Sequence, residues 1–451
     1  MIEKLTIQNF LSFKDKTEFD FVASSERPKE GFEFVHWFEE VRKKKILKVN
    51  FLFGNNGTGK SNFLSAIACL SDIICNKRTS KTAEDNKIGE TYFKLSAETK
   101  GKPSLISVEF HTKGEKYRYS IRFCNDVILD EQLEKINSQK KASTIYIRQF
   151  NYEKDIVEVT NYAKSIPSST QEIICSNVIK NTSVISIYDG KNMESEDIRN
   201  VYYYFRKIVY IDKLESLSLP QMFENRRNKD ELKNVVLQLL GDLGSNIVDY
   251  KVDRIETKLD DKLLLIYKTI LGEEALQKEY PDGVTKNITV QFAHLTDIEG
   301  EYAWLQEHEE SLGTLNMIKL IIILYDAIKH HSPIIIDECA SGIHQQTFGR
   351  IMQFYLATST ETQAFLASQY LPIMEMEGFR RDTLKFFDKD RKTGISTCQK
   401  VNLRKYHKNV SISRAYLDNA FGSLPEFPTK EQWVDKLHNY KKLFIAENNS
   451  L

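Results

Sequence analysis

Gly54-Asn55-Asn56-Gly57-Thr58-Gly59-Lys60-Ser61 is the stretch on which the reading turns. Its spacing, G-x-x-x-x-G-K-[ST], is that of a phosphate-binding loop. The chemistry needs these residue types in this order. Glycines let backbone N–H groups close around phosphate oxygens, the N-terminus of the following helix adds partial positive charge, and the Lys60 ammonium reaches the β and γ phosphates. Ser61 supplies a hydroxyl ligand for Mg²⁺. The flanks agree with this. Ile46-Leu47-Lys48-Val49-Asn50-Phe51-Leu52-Phe53 is rich in β-branched and aromatic residues, as a buried strand is. Downstream, Phe63, Ile67 and Leu70 recur at helical spacing, which predicts a helix packed on a sheet.

A phosphate loop needs a second, acidic element. Pro333-Ile334-Ile335-Ile336-Asp337-Glu338 is a short apolar strand ending in two carboxylates, the form of a Walker B strand. Asp337 is the expected Mg²⁺ ligand and Glu338 the residue expected to polarise the attacking water. A metal neutralises one carboxylate and leaves the next free as a base. Upstream, Glu310-Ser311-Leu312-Gly313-Thr314 opens a mostly apolar helical run through Leu324. Alone this reads as an ordinary helix cap. Placed just ahead of a Walker B strand, it reads as an anion-binding helix terminus built on Ser311, Gly313 and Thr314.

Composition narrows the class. The 451 residues suggest two or three structural units, and 63 basic against 63 acidic residues give no net charge, so no basic coat marks the whole chain as a nucleic-acid or membrane binder. Hydrophobic residues at 41% and charged residues at 28% indicate a folded chain. The longest apolar run, around Leu320 to Ile328, is broken by Tyr325 and Asp326 and is too short to span a bilayer. With no signal-peptide pattern at Met1–Ile7, a cytoplasmic location without a membrane partner is expected. Six scattered cysteines form no C-x-x-C pair, so neither zinc nor a disulfide framework is expected.

Taken in order, Gly54–Ser61, Ser311–Thr314 and Ile334–Glu338 resemble the motifs of ABC-type ATPases of the SMC/RecF/OLD branch. Leu5-Thr6-Ile7-Gln8-Asn9-Phe10-Leu11-Ser12-Phe13 resembles that branch's opening strands. Phe386-Phe387-Asp388-Lys389-Asp390, Thr393-Gly394-Ile395-Ser396, Arg414-Ala415-Tyr416-Leu417 and Phe421-Gly422-Ser423-Leu424-Pro425 resemble the ending of bacterial RloA and AbiLi-type ATPases, which are associated with abortive infection and phage defence. The long interval from Lys60 to Ser311 separates the chain from transporter ATPases.

The resemblance implies an α/β P-loop ABC ATPase head, a mixed sheet flanked by helices, with a helical lid insert. It also implies ATP and Mg²⁺ as cofactors, the loop residues Gly54 to Asn62 as nucleotide ligands, and Lys60 and Glu338 as catalytic residues. Where relatives carry a γ-phosphate histidine, this chain has Gln369, which cannot carry charge, so slow turnover is expected. The implied unit is a homodimer or higher homo-oligomer. Each ATP lies between Lys60, Ser61 and Asp337 of one subunit and Ser311 and Gly313 of the other. An operon-encoded effector is the expected partner of a defence switch. The alternative is a RecF/SMC-like ATPase that clamps or repairs DNA.

The expected organisation is an N-terminal head lobe over 1–150, a helical lid over 151–290, a C-terminal head lobe over 291–425 and a docking helix over 426–451. The last span is too short for the nuclease domain that OLD relatives append, so no nuclease activity is expected. The amphipathic run Asp230–Leu240 predicts a helix ending at Gly241 or Gly244. Tyr202-Tyr203-Tyr204-Phe205 reads as core rather than a base-stacking platform. Arg226-Arg227, Arg380-Arg381 and Arg404-Lys405 read as solvated faces, Arg42–Lys45 as the best DNA-contact candidate, and Gln149 as a solvent-facing glutamine. His344 follows the Walker B turn at a position that relatives also fill with histidine, and structural and catalytic roles stay open for it.

Overall fold

The β-branched and aromatic runs on either side of the glycine loop become the buried middle of a layered molecule. The computed structural model describes residues 1–26, 35–38, 44–78, 80, 87–224, 229–273, 280, 284–376, 380–401, 410–422, 424 and 428–448. Strands are numbered in chain order. An antiparallel sheet is formed by β1 (Ile2–Gln8), β2 (Thr17–Asp20), β6 (Ser104–Thr112), β7 (Glu115–Phe123), β8 (Ile128–Ile136), β9 (Ala142–Asn151) and β10 (Ile156–Thr160), in the order β10-β9-β8-β7-β6-β1-β2. Between β2 and β6 come the short hairpin strands β3 (Val35–Phe38) and β4 (Lys44–Leu47). The central sheet takes β5 (Val49–Phe53), β11 (Val209–Ile211), β15 (Ile334–Ile336), β16 (Ala364–Ala367), β17 (Leu384–Lys389) and β18 (Ser396–Lys400). Its order is β11-β15-β16-β5-β17-β18, parallel except for β18.

Central strands covered on both faces need apolar residues at nearly every position. In β5, Val49, Phe51 and Phe53 pack with the Leu312–His330 and Gln345–Thr358 helices, while Leu52 turns to the opposite core. That opposite core holds the Lys60–Cys75 and Glu196–Arg206 helices and the antiparallel sheet. Polar residues are nonetheless buried here, among them Asn50 in β5, Lys385 in β17 and, just before β16, Gln363. Gln363, fully buried, accepts from Ile2 N–H at 2.6 Å and donates to Ile2 and Leu47 carbonyls at 3.0 and 3.2 Å, stitching β1 to the start of β16.

The span 151–290 departs from a helical lid. The Lys229–Asp242 helix forms, with Leu232, Val236 and Leu240 buried. The same span also completes β9–β10, contributes β11 to the central sheet, and supplies the long strand β12 (Ile247–Lys258). That strand pairs with β13 (Val284–Leu295), which pairs in turn with β14 (Tyr302–Gln306). The alternation Tyr250-Lys251-Val252-Asp253-Arg254-Ile255 was a strand signal that the helical expectation passed over.

Two further expectations need correction. Arg380 is buried and bonded to Asp382, and Arg381 pairs with Glu26 at 3.0 Å, so these guanidinia are tied into the fold instead of forming a solvated face. The terminal Lys430–Asn448 helix, expected to dock on the head or on a partner, forms with residues 429–442 all exposed, so that part does not dock on the head and only the partner half of the expectation stands. Arg42, Lys43, Arg226-Arg227 and Arg404-Lys405 lie outside the described residues. The aromatic run is core, with Tyr202, Tyr204 and Phe205 buried and Tyr203 exposed. Gln149 is exposed on β9, where it faces Asp130 and Glu158 on the neighbouring strands. Among the described residues, no helix is long and apolar enough to cross a membrane.

Candidate functional site

The site grows from the carboxyl ends of the parallel strands, where loops are free of the sheet's hydrogen bonds. β5 ends at Phe53 and the chain enters the loop at Gly54. Gly57 and Gly59 take φ values of +77° and +107°, a region that side chains with a Cβ rarely occupy. Gly59 has a second constraint, since a Cβ there would come within 2.6 Å of Ser396 Oγ and 2.9 Å of Ser12 Oγ. Helix begins at Lys60 and directs its unpaired N–H groups into the loop. Asn62 Nδ2 donates to Ser12 Oγ at 2.7 Å, anchoring this first turn to the segment after β1.

Lys60 Nζ donates to the carbonyls of Gly54 at 2.6 Å and Asn55 at 3.0 Å, holding the loop closed around its ammonium. Burial lowers its pKa, opposed by the charges of Asp337 and Glu338. Ser61 Oγ donates to Asp337 Oδ2 at 2.5 Å, so the residues predicted as Mg²⁺ ligands are in direct contact. One hydroxyl and one carboxylate suit a hard cation that takes its remaining oxygens from phosphate and water. Among the described residues, no cluster of three or more acidic, His or Cys side chains offers a self-sufficient metal site.

Glu338 sits at φ +50°, and its own N–H donates to Asp337 Oδ1 at 3.0 Å. This turn exposes Glu338 while Asp337 stays buried. Because β16 lies between β5 and β15, it delivers Ser368 and Gln369 into the gap between phosphate loop and Walker B strand. Gln369 Nε2 donates to Asn56 Oδ1 at 2.7 Å. One cleft is therefore lined by Asn56 to Asn62, Asp337, Glu338, Ser368 and Gln369. Gly54 and Asn55 bear on it through the carbonyls that hold Lys60. Ser368 was missed because no local motif marks it, and Ser12, although inside the opening-strand resemblance, because nothing in the sequence ties it to Asn62.

Ser311, Gly313 and Thr314 are not part of that cleft lining. Ser311 caps the Leu312–His330 helix, its Oγ accepting from Thr314 N–H at 3.0 Å. Ser311 and Leu312 are exposed. Behind them the packing is tight. A Cβ on Gly313 would meet Gly342 O at 2.5 Å, and Asn316 Nδ2 donates to Ser341 O at 3.1 Å. The loop after Glu338 is thus clamped to the first turn of this helix. His344 caps the next helix without a side-chain bond to it.

The family model described as "AAA domain, putative AbiEii toxin, Type IV TA system" matches residues 49–369, spanning β5 through Gln369. The chain belongs to this family of AAA domains. As an AAA-family chain it is a nucleotide-binding P-loop ATPase domain. No curated protein matches the chain. Among solved structures, it is similar to the SMC head domain from Thermotoga maritima, at 12% identity and TM-score 0.42, covering 89% of this chain and 99% of that one. It is also similar to an Smc head with an extended coiled coil bound to the C-terminal domain of ScpA, derived from Pyrococcus furiosus, at 12% identity and TM-score 0.38 over 93% and 99%. A third similar structure is the recombination mediator RecF, at 12% identity and TM-score 0.36 over 88% and 98%.

Proposed function

We propose that this AAA-family chain is a slowly hydrolysing ATPase that dimerises on MgATP and acts as a cytoplasmic switch in anti-phage defence, controlling a partner effector. One observation carries the dimer. The Ser311-capped helix terminus is exposed, of a kind that attracts anions, and it lies outside the cleft that would hold its own subunit's nucleotide. A second copy related by a two-fold axis satisfies both halves at once, because each surface meets its counterpart twice.

Within the cleft the residues divide the work. Lys60 exchanges its carbonyl partners for the β and γ phosphates. Ser61 and Asp337 would hold Mg²⁺, which would supply charge neutralisation at the phosphates. Glu338 accepts the proton of the attacking water, and Gln369 orients that water or a phosphate oxygen without adding charge. ATP joins the subunits, and Glu338-driven hydrolysis releases them. The defence role is supported by the resemblance of the chain's ending to RloA and AbiLi-type ATPases and by the toxin system named in the matching family's description.

The test is light scattering of Glu338→Gln with and without ATP. A stable ATP-bound dimer is expected, and Ser311→Arg should abolish it with nucleotide uptake intact. A Glu338→Gln protein that stays monomeric in ATP overturns the sandwich. In cells carrying the native operon, Lys60→Ala should abolish protection against phage. Duplex DNA that strongly and salt-sensitively stimulates ATP hydrolysis would replace the effector reading with a DNA-directed one.

A further inference from the structure

Glu310 stands one residue before the Ser311 cap, where a carboxylate is ordinarily drawn to the unpaired N–H groups of a helix. Here it is turned away. His294 Nε2 donates to Glu310 Oε1 at 2.5 Å, and His294 Nδ1 lies 2.8 Å from Asn246 Oδ1. Both side chains are largely covered, at 15% exposure for His294 and 6% for Glu310. The partners come from the three-stranded sheet of the insert. His294 is on β13 opposite Ile247 and Ala303, and Asn246 immediately precedes β12, its carbonyl accepting from Leu295 N–H at 3.1 Å. The approach to Ser311 is fixed by a short turn, in which Gln306 N–H donates to Glu309 Oε2 at 2.7 Å and Glu310 N–H donates to Glu307 O.

We propose that His294 is a positioning residue that sequesters the Glu310 carboxylate from the Ser311–Gly313 terminus, keeping that terminus open to the triphosphate of a second subunit. The inference rests on the dimer reading above. A carboxylate released beside these N–H groups would compete with phosphate for the same donors and repel it. The insert sheet thereby controls whether the helix terminus can receive ATP, although none of its residues lines the nucleotide cleft.

The proposal separates sequestration from simple support. In the Glu338→Gln background, His294→Ala should raise the dimer dissociation constant in saturating ATP about tenfold, with nucleotide uptake by the monomer unchanged. His294→Asn is too short to reach Glu310 and carries the same expectation, which keeps the test available if the alanine variant folds poorly. His294→Gln, whose amide can still donate, should retain the reference affinity. The deciding variant is His294→Ala with Glu310→Gln, which should return to the reference because the charge to be sequestered is gone. Glu310→Gln alone should dimerise at least as well as the reference. A double variant as weak as His294→Ala would reduce the pair to scaffolding and overturn the proposal, as would a His294→Ala protein that dimerises normally. A monomeric Glu338→Gln reference would overturn the sandwich and this proposal together, whereas a dimeric reference with an indifferent His294→Ala would overturn this proposal alone.

Discussion

Gln369 is an uncharged side chain lining the proposed nucleotide cleft. It donates to Asn56 on the phosphate loop and is exposed at the rim of the site. An amide can align a water or a phosphate oxygen, but it cannot answer charge that builds up in a transition state. Gln369→His is therefore expected to raise kcat about tenfold with KM little changed, the gain growing as pH falls through about 6.5, where an unperturbed imidazole becomes charged. Phosphate-release kinetics across pH 5.5–8 measure this, and an unchanged or lower kcat counts against Gln369 as the limiting group. The phosphate loop, Asp337 and Glu338 were legible because their chemistry is written in contiguous residues with fixed spacing. Gln363 on Ile2, and His294 on Glu310, were not, because each contact joins distant parts of the chain through ordinary polar residues.

At the scale of elements, β17 carries a cost that a pattern reading does not expose. Its Phe386 and Phe387 serve the two cores on opposite faces, while Lys385 between them and Leu384 is 1% exposed. Lys385 Nζ donates to Asp382 O at 2.9 Å. Burial, with a smaller contribution from nearby Lys400, pushes the ammonium down to about 8. A depressed folded pKa means that, between pH 8 and the ordinary lysine range near 10.5, the unfolded chain holds a proton that the native state has lost. Native stability due to this group therefore rises with pH across that window and is lowest below it. Lys385→Met is expected to be about 2 kcal/mol more stable than the parent at pH 7, with the gap closing toward pH 10.5. Urea unfolding of both proteins from pH 7 to 10.5 gives the answer, and a gap independent of pH would exclude the ionic origin. The insert makes a related point about legibility. Its helix announced itself through an apolar stripe and the Tyr250–Ile255 alternation marked a strand, but the partner of that strand lies far along the chain and is evident only from the register Tyr250↔Phe292 and Val252↔Val290.

For the whole molecule, the question is whether a nucleotide site belongs to one chain or two. The cleft holds Lys60, Ser61, Asp337, Glu338 and Gln369, while the Ser311 terminus faces outward on the far end of the loop clamped by Gly342 and Ser341. If each site is shared, a defect in the phosphate loop and a defect in the helix terminus fall on different halves. Lys60→Ala and Ser311→Arg should each be inactive alone. In a mixture, a dimer of the two types pairs the intact phosphate loop of the Ser311→Arg subunit with the intact terminus of the Lys60→Ala subunit. Its other site combines both defects. Neither variant pairs with itself on ATP, so the mixed dimer is the expected species, and with one working site of two it should return at most about half of the parental ATPase rate. The recovery should depend on total protein concentration, because it requires association, and it should disappear when Glu338→Gln is added to the Ser311→Arg chain, which supplies the working Walker B strand. The same change placed on the Lys60→Ala chain should leave recovery intact, since that subunit's own cleft is already dead. Absence of any recovery at concentrations where the parent is dimeric would mean that Ser311 acts within its own chain.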